Sequence, residues 1–80
     1  MKTISITQDH IDQGIRASCN KCPLALAIKE IFPDKKILVG YNVVFVNSYI
    51  GIELPEDLME FIYSFDSGKL VEPREFQLDI

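Results

Sequence analysis

The segment 23–32 constrains the fold of this chain more than any other part of the sequence. It is apolar except for Lys29 and Glu30, and it begins at Pro23 and ends just before Pro33. Proline suits the first turn of a helix and disfavours helical geometry in the residue before it, so the segment predicts a helix with these bounds. A helix that is apolar on nearly every side must be enclosed. We therefore expect it at the centre of the core, against a sheet and under another helix or loop.

Two further helices are predicted, one before and one after this segment. Thr7 can cap a short helix over residues 8–13, which Gly14 ends or weakens. Pro55 opens a longer helix, because the apolar residues that follow it have helical spacing. These residues are Leu58, Phe61, Ile62 and Phe65.

Five short segments have the β-branched and aromatic residues or the alternation typical of strands. They are residues 3–6, 37–39, 43–46, 49–54 and 75–80. The middle three predict a meander, whose strand 43–46 is apolar on both faces and therefore central. In the last segment Phe76, Leu78 and Ile80 share one face, and we expect this strand to pair beside the first.

These elements predict a single small α+β domain over residues 1–80, since a chain of this length forms one core. The expected order is β-α-α-β-β-β-α-β. We expect an antiparallel or mixed sheet of about five strands packed against about three helices.

Charge and composition exclude several classes of protein. Twelve acidic residues against eight basic ones give a net charge of -4, and the basic residues are scattered, so we expect no nucleic-acid partner. The apolar runs are far shorter than the roughly 18 residues that span a bilayer, and the N-terminus lacks the apolar core of a secretory signal. We therefore expect a soluble, cytoplasmic protein without a membrane partner, either a monomer or a weak homodimer.

The segment 18–23, Ser-Cys-Asn-Lys-Cys-Pro, is the motif with reactive potential. Two thiols at this spacing can close a disulfide or share a metal ion. In a redox interpretation, helix N-terminal amides and the nearby cations Arg16 and Lys21 favour the thiolate form of Cys19 or Cys22. The two cysteines would then be catalytic.

Two other interpretations give the cysteines different roles. In a zinc interpretation Cys19, Cys22 and His10 supply three ligands, and a carboxylate or water completes the tetrahedron. In a packing interpretation Pro23 is the first helical residue, Cys22 is the N-cap, and Cys19 packs in the loop as a reduced thiol. The packing interpretation, with no cofactor, is favoured because a closed structural zinc site takes four Cys or His ligands and the chain contains three.

A different interpretation concerns the acidic residues of the second half, which could dock a basic partner or imitate nucleic acid. A solvated helix explains them better, because negative charge near a helix N-terminus is favoured by the dipole. The residues are Glu53, Glu56, Asp57, Glu60 and Asp66. Tyr41, Tyr49 and Tyr63 offer a contact surface, although tyrosines are equally expected at the edge of a core.

The stretch 14–27 contains Gly-x-Arg-x-Ser-Cys-x-x-Cys-Pro and resembles a signature of small uncharacterised proteins from cyanobacteria and phages. The stretch 65–68, followed by Val71, Pro73, Phe76 and Leu78, resembles the end of the same group. The resemblance implies a compact stand-alone accessory protein of bacteria or their viruses, and it carries over no catalytic residues.

No complete catalytic set is present, since the single histidine has no triad partners placed by the sequence and no glycine-rich phosphate loop occurs. The sequence leaves enzyme activity open and favours a non-enzymatic module that binds an unknown protein partner or a small ligand. The alternative is a thiol redox or metal-binding protein centred on Cys19 and Cys22.

Overall fold

The computed structural model describes residues 2–47 and 50–80. Its elements are β1 (Lys2–Ile6), α1 (Gln8–Gln13), α2 (Pro23–Ile31), β2 (Ile37–Val39), β3 (Val43–Val46), β4 (Ile50–Glu53), α3 (Glu56–Asp66) and β5 (Arg74–Leu78). The predicted α+β class and element order are confirmed. Tyr49, the expected first residue of the fourth strand, lies outside the described residues.

The strands form two antiparallel sheets where one was expected. β1 pairs with β5, with Ile4 opposite Phe76, so the predicted pairing of the terminal strands is confirmed. β2, β3 and β4 form the predicted meander, with Val44 opposite Ile52. α2 packs against β1 of one sheet and against β2 of the other. A buried helix, not a shared strand, therefore connects the two sheets.

The prediction that α2 is enclosed by other elements is confirmed, because most of its apolar residues are buried. Leu24 and Ile28 are fully buried, and the small side chains of Ala25 and Ala27 let neighbouring elements approach closely. Other buried apolar residues come from both sheets, from α3 and from the link between β4 and α3: Ile4, Ile6, Ile37, Val39, Val44, Leu54, Leu58, Phe61, Phe65, Phe76 and Leu78. Both sheets, α2 and α3 therefore share one hydrophobic core.

α3 is fixed to the terminal sheet by an aromatic pair. The rings of Phe61 and Phe76 meet edge to face, with their centroids 5.4 Å apart. In the described residues, none of the helices has the length and apolar character needed to cross a bilayer.

Candidate functional site

The segment 17–22, here called the cysteine loop, lies between α1 and α2 and is hydrogen-bonded to the meander and to α3. The Val39 amide donates a hydrogen bond to the Cys19 carbonyl oxygen at 2.6 Å, which attaches the loop to β2. The Ala17 amide donates to Oδ1 of Asp66 at 2.9 Å, which attaches it to the end of α3. The loop is therefore held at both sides, even though most of its residues are exposed.

Cys22 is the N-cap of α2, as the packing interpretation predicted. Its Sγ accepts a hydrogen bond from the Ala25 amide at 3.5 Å, and only 2% of the residue is exposed. Burial raises the pKa of the Cys22 thiol, and the hydrogen bonds from the Ala25 and Leu24 amides oppose this shift only in part. Cys22 is therefore a protonated thiol at neutral pH, which makes it a poor nucleophile.

Cys19 is exposed, and both thiols are free. Within residues 2–47 and 50–80 the structure gathers no group of three His, Cys, Asp or Glu side chains that could hold a metal ion. His10, the third ligand of the zinc interpretation, is engaged elsewhere. Its Nδ1 accepts from the Thr7 amide at 3.0 Å, and its Nε2 contacts the carboxylate of Glu30.

Both cysteines line a groove of about 730 Å³, here called the cysteine groove, between the cysteine loop, the β2–β3 turn and α3. Its base is apolar and includes Val39, Met59 and Ile62, which are buried or half-buried. Tyr41 and Tyr63 lie at its edge, with 91% and 67% of each residue exposed. The groove thus has an apolar base and an aromatic edge.

The charges in the cysteine groove are all negative. Glu56, Glu60 and Asp66 line it, and no lysine, arginine or histidine of residues 2–47 and 50–80 does. Glu56 and Glu60 are four residues apart and share a face of α3. Among the described residues neither forms an ion pair. Sequence reasoning had named all three acids as part of an acidic surface, but nothing in the sequence places them beside Tyr41.

A second groove, here called the histidine groove, is lined by α1, β1 and α2 and has a volume of about 890 Å³. His10, Lys29 and Glu30 line it, together with Thr3 and Ser5 of β1. Its charges are of both signs, and His10 pairs with Glu30. His10 and Glu30 of this groove therefore already have partners in the protein.

Compared with known proteins, the chain has no significant match to a protein-family model, a curated protein or a solved structure. The resemblance to small cyanobacterial and phage proteins stays a prediction. The observations that bear on function are the two grooves and their side chains.

Proposed function

We propose that the protein is a non-enzymatic binding module and that the cysteine groove is its binding site. The observation that carries this proposal is the exposure of Tyr41 and Tyr63 at the edge of an apolar base. Large aromatic side chains are enriched where proteins recognise partners, because they bury much area with few rotatable bonds. The volume of about 730 Å³ also lies within the range of binding pockets.

The proposed occupant is a segment of a protein partner. The large exposed fractions of Tyr41 and Tyr63 favour an occupant that covers an extended surface over a small molecule. A peptide segment can contact the base and cover both rings. We propose a cytoplasmic location, supported by the two free cysteines, and a monomer or weak homodimer that binds without a cofactor.

Thiol redox or metal-binding chemistry is the second candidate function. It is favoured by one observation, that both Cys19 and Cys22 line the same groove. The burial of Cys22 opposes it, because a thiol that stays protonated neither attacks a disulfide nor binds a metal readily. Titration with a thiol reagent across pH separates the two functions: reaction of both thiols well below pH 8 would favour the redox candidate.

The test of the binding function is selection of peptides on the whole chain, followed by mapping of the selected peptide by NMR amide shifts. We expect the shifts to concentrate at the cysteine loop, the β2–β3 turn and α3. Tyr41→Ala and Tyr63→Ala should each weaken binding about tenfold, the effect of removing an aromatic anchor. Both side chains are exposed, so the variants should fold.

Leu70→Ala is the matched control, because Leu70 is an apolar residue with 96% exposure that does not line the groove. It should leave the affinity unchanged. Equal affinity of all three variants and the native chain, or shifts located at the histidine groove, would refute the proposal.

A further inference from the structure

The negative charge in the cysteine groove is not explained by the stability of α3. The dipole favours Glu56 in the first turn, but Asp66 is at the C-terminal end, where a negative charge is disfavoured. Glu56 and Glu60 repel each other at a spacing of four residues. Asp66 accepts one hydrogen bond from Ala17, which leaves its charge in place. Among the described residues, the groove lining therefore holds three carboxylates and no basic side chain.

The aromatic edge has the same preference for positive charge. The face of a tyrosine ring attracts a cation within about 6 Å of its centroid. Lys69 already uses Tyr63 in this way, with Nζ 6.0 Å from the ring centroid, which is the outer limit of the interaction. Tyr41 has no such partner among the described residues. The net charge of -4 adds a long-range attraction for cations.

We infer that the cysteine groove selects a basic segment of a protein partner and that an arginine side chain of this segment is its main contact. The inference rests on the proposed function and specifies the chemistry of the ligand. The guanidinium packs on the rings of Tyr41 and Tyr63 and binds the carboxylates of Glu56 and Glu60. Arginine suits the site better than lysine, because its planar group stacks on aromatic rings and donates two parallel hydrogen bonds to a carboxylate. The apolar base receives neighbouring side chains of the segment.

The test uses fluorescence anisotropy with three labelled nonapeptides of alternating leucine and a variable residue. The variable residue is arginine, its neutral isostere citrulline, or glutamate. The arginine peptide should bind the native chain, and the citrulline peptide should bind about tenfold more weakly, because charge-assisted hydrogen bonds and the cation–π contact are lost. The glutamate peptide should not bind. Raising the salt concentration should weaken arginine-peptide binding, since the carboxylates are exposed.

A matched pair of double variants locates the charge effect. Glu56→Gln with Glu60→Gln removes two charges from the groove and should weaken arginine-peptide binding at least about tenfold. Glu53→Gln with Glu72→Gln removes the same charge from exposed positions outside the groove and should change affinity less than about twofold. Equal losses in both pairs would show non-specific attraction and overturn the inference.

Other outcomes separate this inference from the proposed function. If the citrulline peptide binds as tightly as the arginine peptide, the groove binds peptides but does not select cations. If library peptides bind at the groove and the arginine peptide does not, the inference fails and the binding function stands. If spermidine binds as tightly as the peptide and responds to the same variants, the ligand is a free polyamine and the inferred protein segment is wrong. If neither the library nor the designed peptides bind, both proposals fail.

Discussion

The cysteine groove and the histidine groove have similar volumes, about 730 and 890 Å³, but different charges: acids line the first, whereas Asp9 and Glu30 line the second together with Lys29 and His10. In the histidine groove His10 and Glu30 pair, and Lys29 donates to the Lys35 carbonyl. Among the described residues that line the cysteine groove none is basic, and the nearby Arg16 and Lys69 lie against Gly68 and Tyr63 and form no ion pair with its carboxylates. The difference favours the cysteine groove as the ligand site, because His10, Lys29 and Glu30 of the histidine groove already have partners in the protein and Glu56 and Glu60 form no ion pair among the described residues.

The two grooves also differ in backbone conformation, because only the cysteine groove has a described non-glycine residue with a positive φ in its lining. Ala17, in the lining of the cysteine groove, has a φ of 56°. This left-handed conformation costs a residue with a side chain about 1–2 kcal/mol. Among the described residues of the histidine groove none has a positive φ. Strained backbone is concentrated at functional sites, so Ala17 agrees with the choice of the cysteine groove.

The largest expected effect is at Gly14, which lies in the chain between Gln13 of the histidine groove and Ala17 of the cysteine groove. A Cβ at this position would lie 2.7 Å from Cδ of Pro23 and 2.9 Å from the His10 carbonyl oxygen. Gly14→Ala should lower the free energy of unfolding by about 1–3 kcal/mol, because overpacking must displace the start of α2. Urea denaturation measures this. Gln13→Ala is the exposed control and should cost less than about 0.5 kcal/mol. Native stability in Gly14→Ala would mean that the start of α2 can shift to make room for the methyl group.

The next effect concerns Asp66, which accepts a hydrogen bond from the Ala17 amide and also contributes negative charge to the cysteine groove. Asp66→Ala removes the acceptor of the Ala17 amide and should lower the unfolding free energy by about 1 kcal/mol. Asp66→Asn keeps an acceptor oxygen, so its stability should stay near native while arginine-peptide affinity falls. Urea denaturation and anisotropy measure the two quantities. Native affinity in Asp66→Asn would remove this carboxylate from the binding surface.

The corresponding change in the histidine groove should affect stability alone. His10→Ala removes the acceptor for the Thr7 amide and the contact with Glu30, and should cost about 0.5–1 kcal/mol of unfolding free energy. Peptide affinity should be unchanged. His10→Gln should recover part of the loss, because glutamine at the third helical position can complete a capping box. A fall in peptide affinity for His10→Ala would break the distinction between the grooves.

The sequence predicted the parts of the fold that local chemistry determines. Pro23 and Pro55 mark the starts of α2 and α3. Thr7 is the N-cap of α1, and Cys22 is the N-cap of α2 because Pro23 is its first helical residue. The pairing of β1 with β5 and the meander were predicted, but their division into two sheets was not, because a strand pattern does not show whether two groups of paired strands share an edge. In the structure α2 packs against both β1 and β2 and connects the two sheets.

The cysteine groove could not be predicted from the sequence either, because residues far apart in the chain form it. The motif around Cys19 and the acids of α3 were both recognised, but as separate features. The hydrogen bond that joins them runs between Ala17 and Asp66, which are 49 residues apart. Tyr41 reaches the same groove from the β2–β3 turn. Contacts of this length come from tertiary packing and leave no periodic signal in the sequence.

A smaller effect tests the strain in the cysteine loop. Glycine adopts positive φ without the steric cost of a Cβ, so Ala17→Gly should raise the unfolding free energy by about 0.5 kcal/mol after its unfolded-state entropy is included. Asn47 is the comparison, since it has a φ of 60° outside both grooves. Asn47→Gly should lower stability, because the Asn47 side chain accepts a hydrogen bond from the Lys36 amide. Destabilisation by Ala17→Gly would show that the loop is not strained.

The smallest effect is the pH dependence that Cys22 gives to stability. Because burial raises the pKa of the folded thiol, the unfolded chain loses its proton first as pH rises. The stabilising contribution is complete below the unfolded pKa of about 8.5 and decreases from there toward the higher folded pKa. The urea midpoint of the native chain should therefore fall more between about pH 8 and 9.5 than that of Cys22→Ser, which lacks the titrating thiol and keeps an N-cap oxygen. Parallel midpoints for the two proteins would mean that the Cys22 thiol ionises as easily folded as unfolded, which would contradict the effect of its burial.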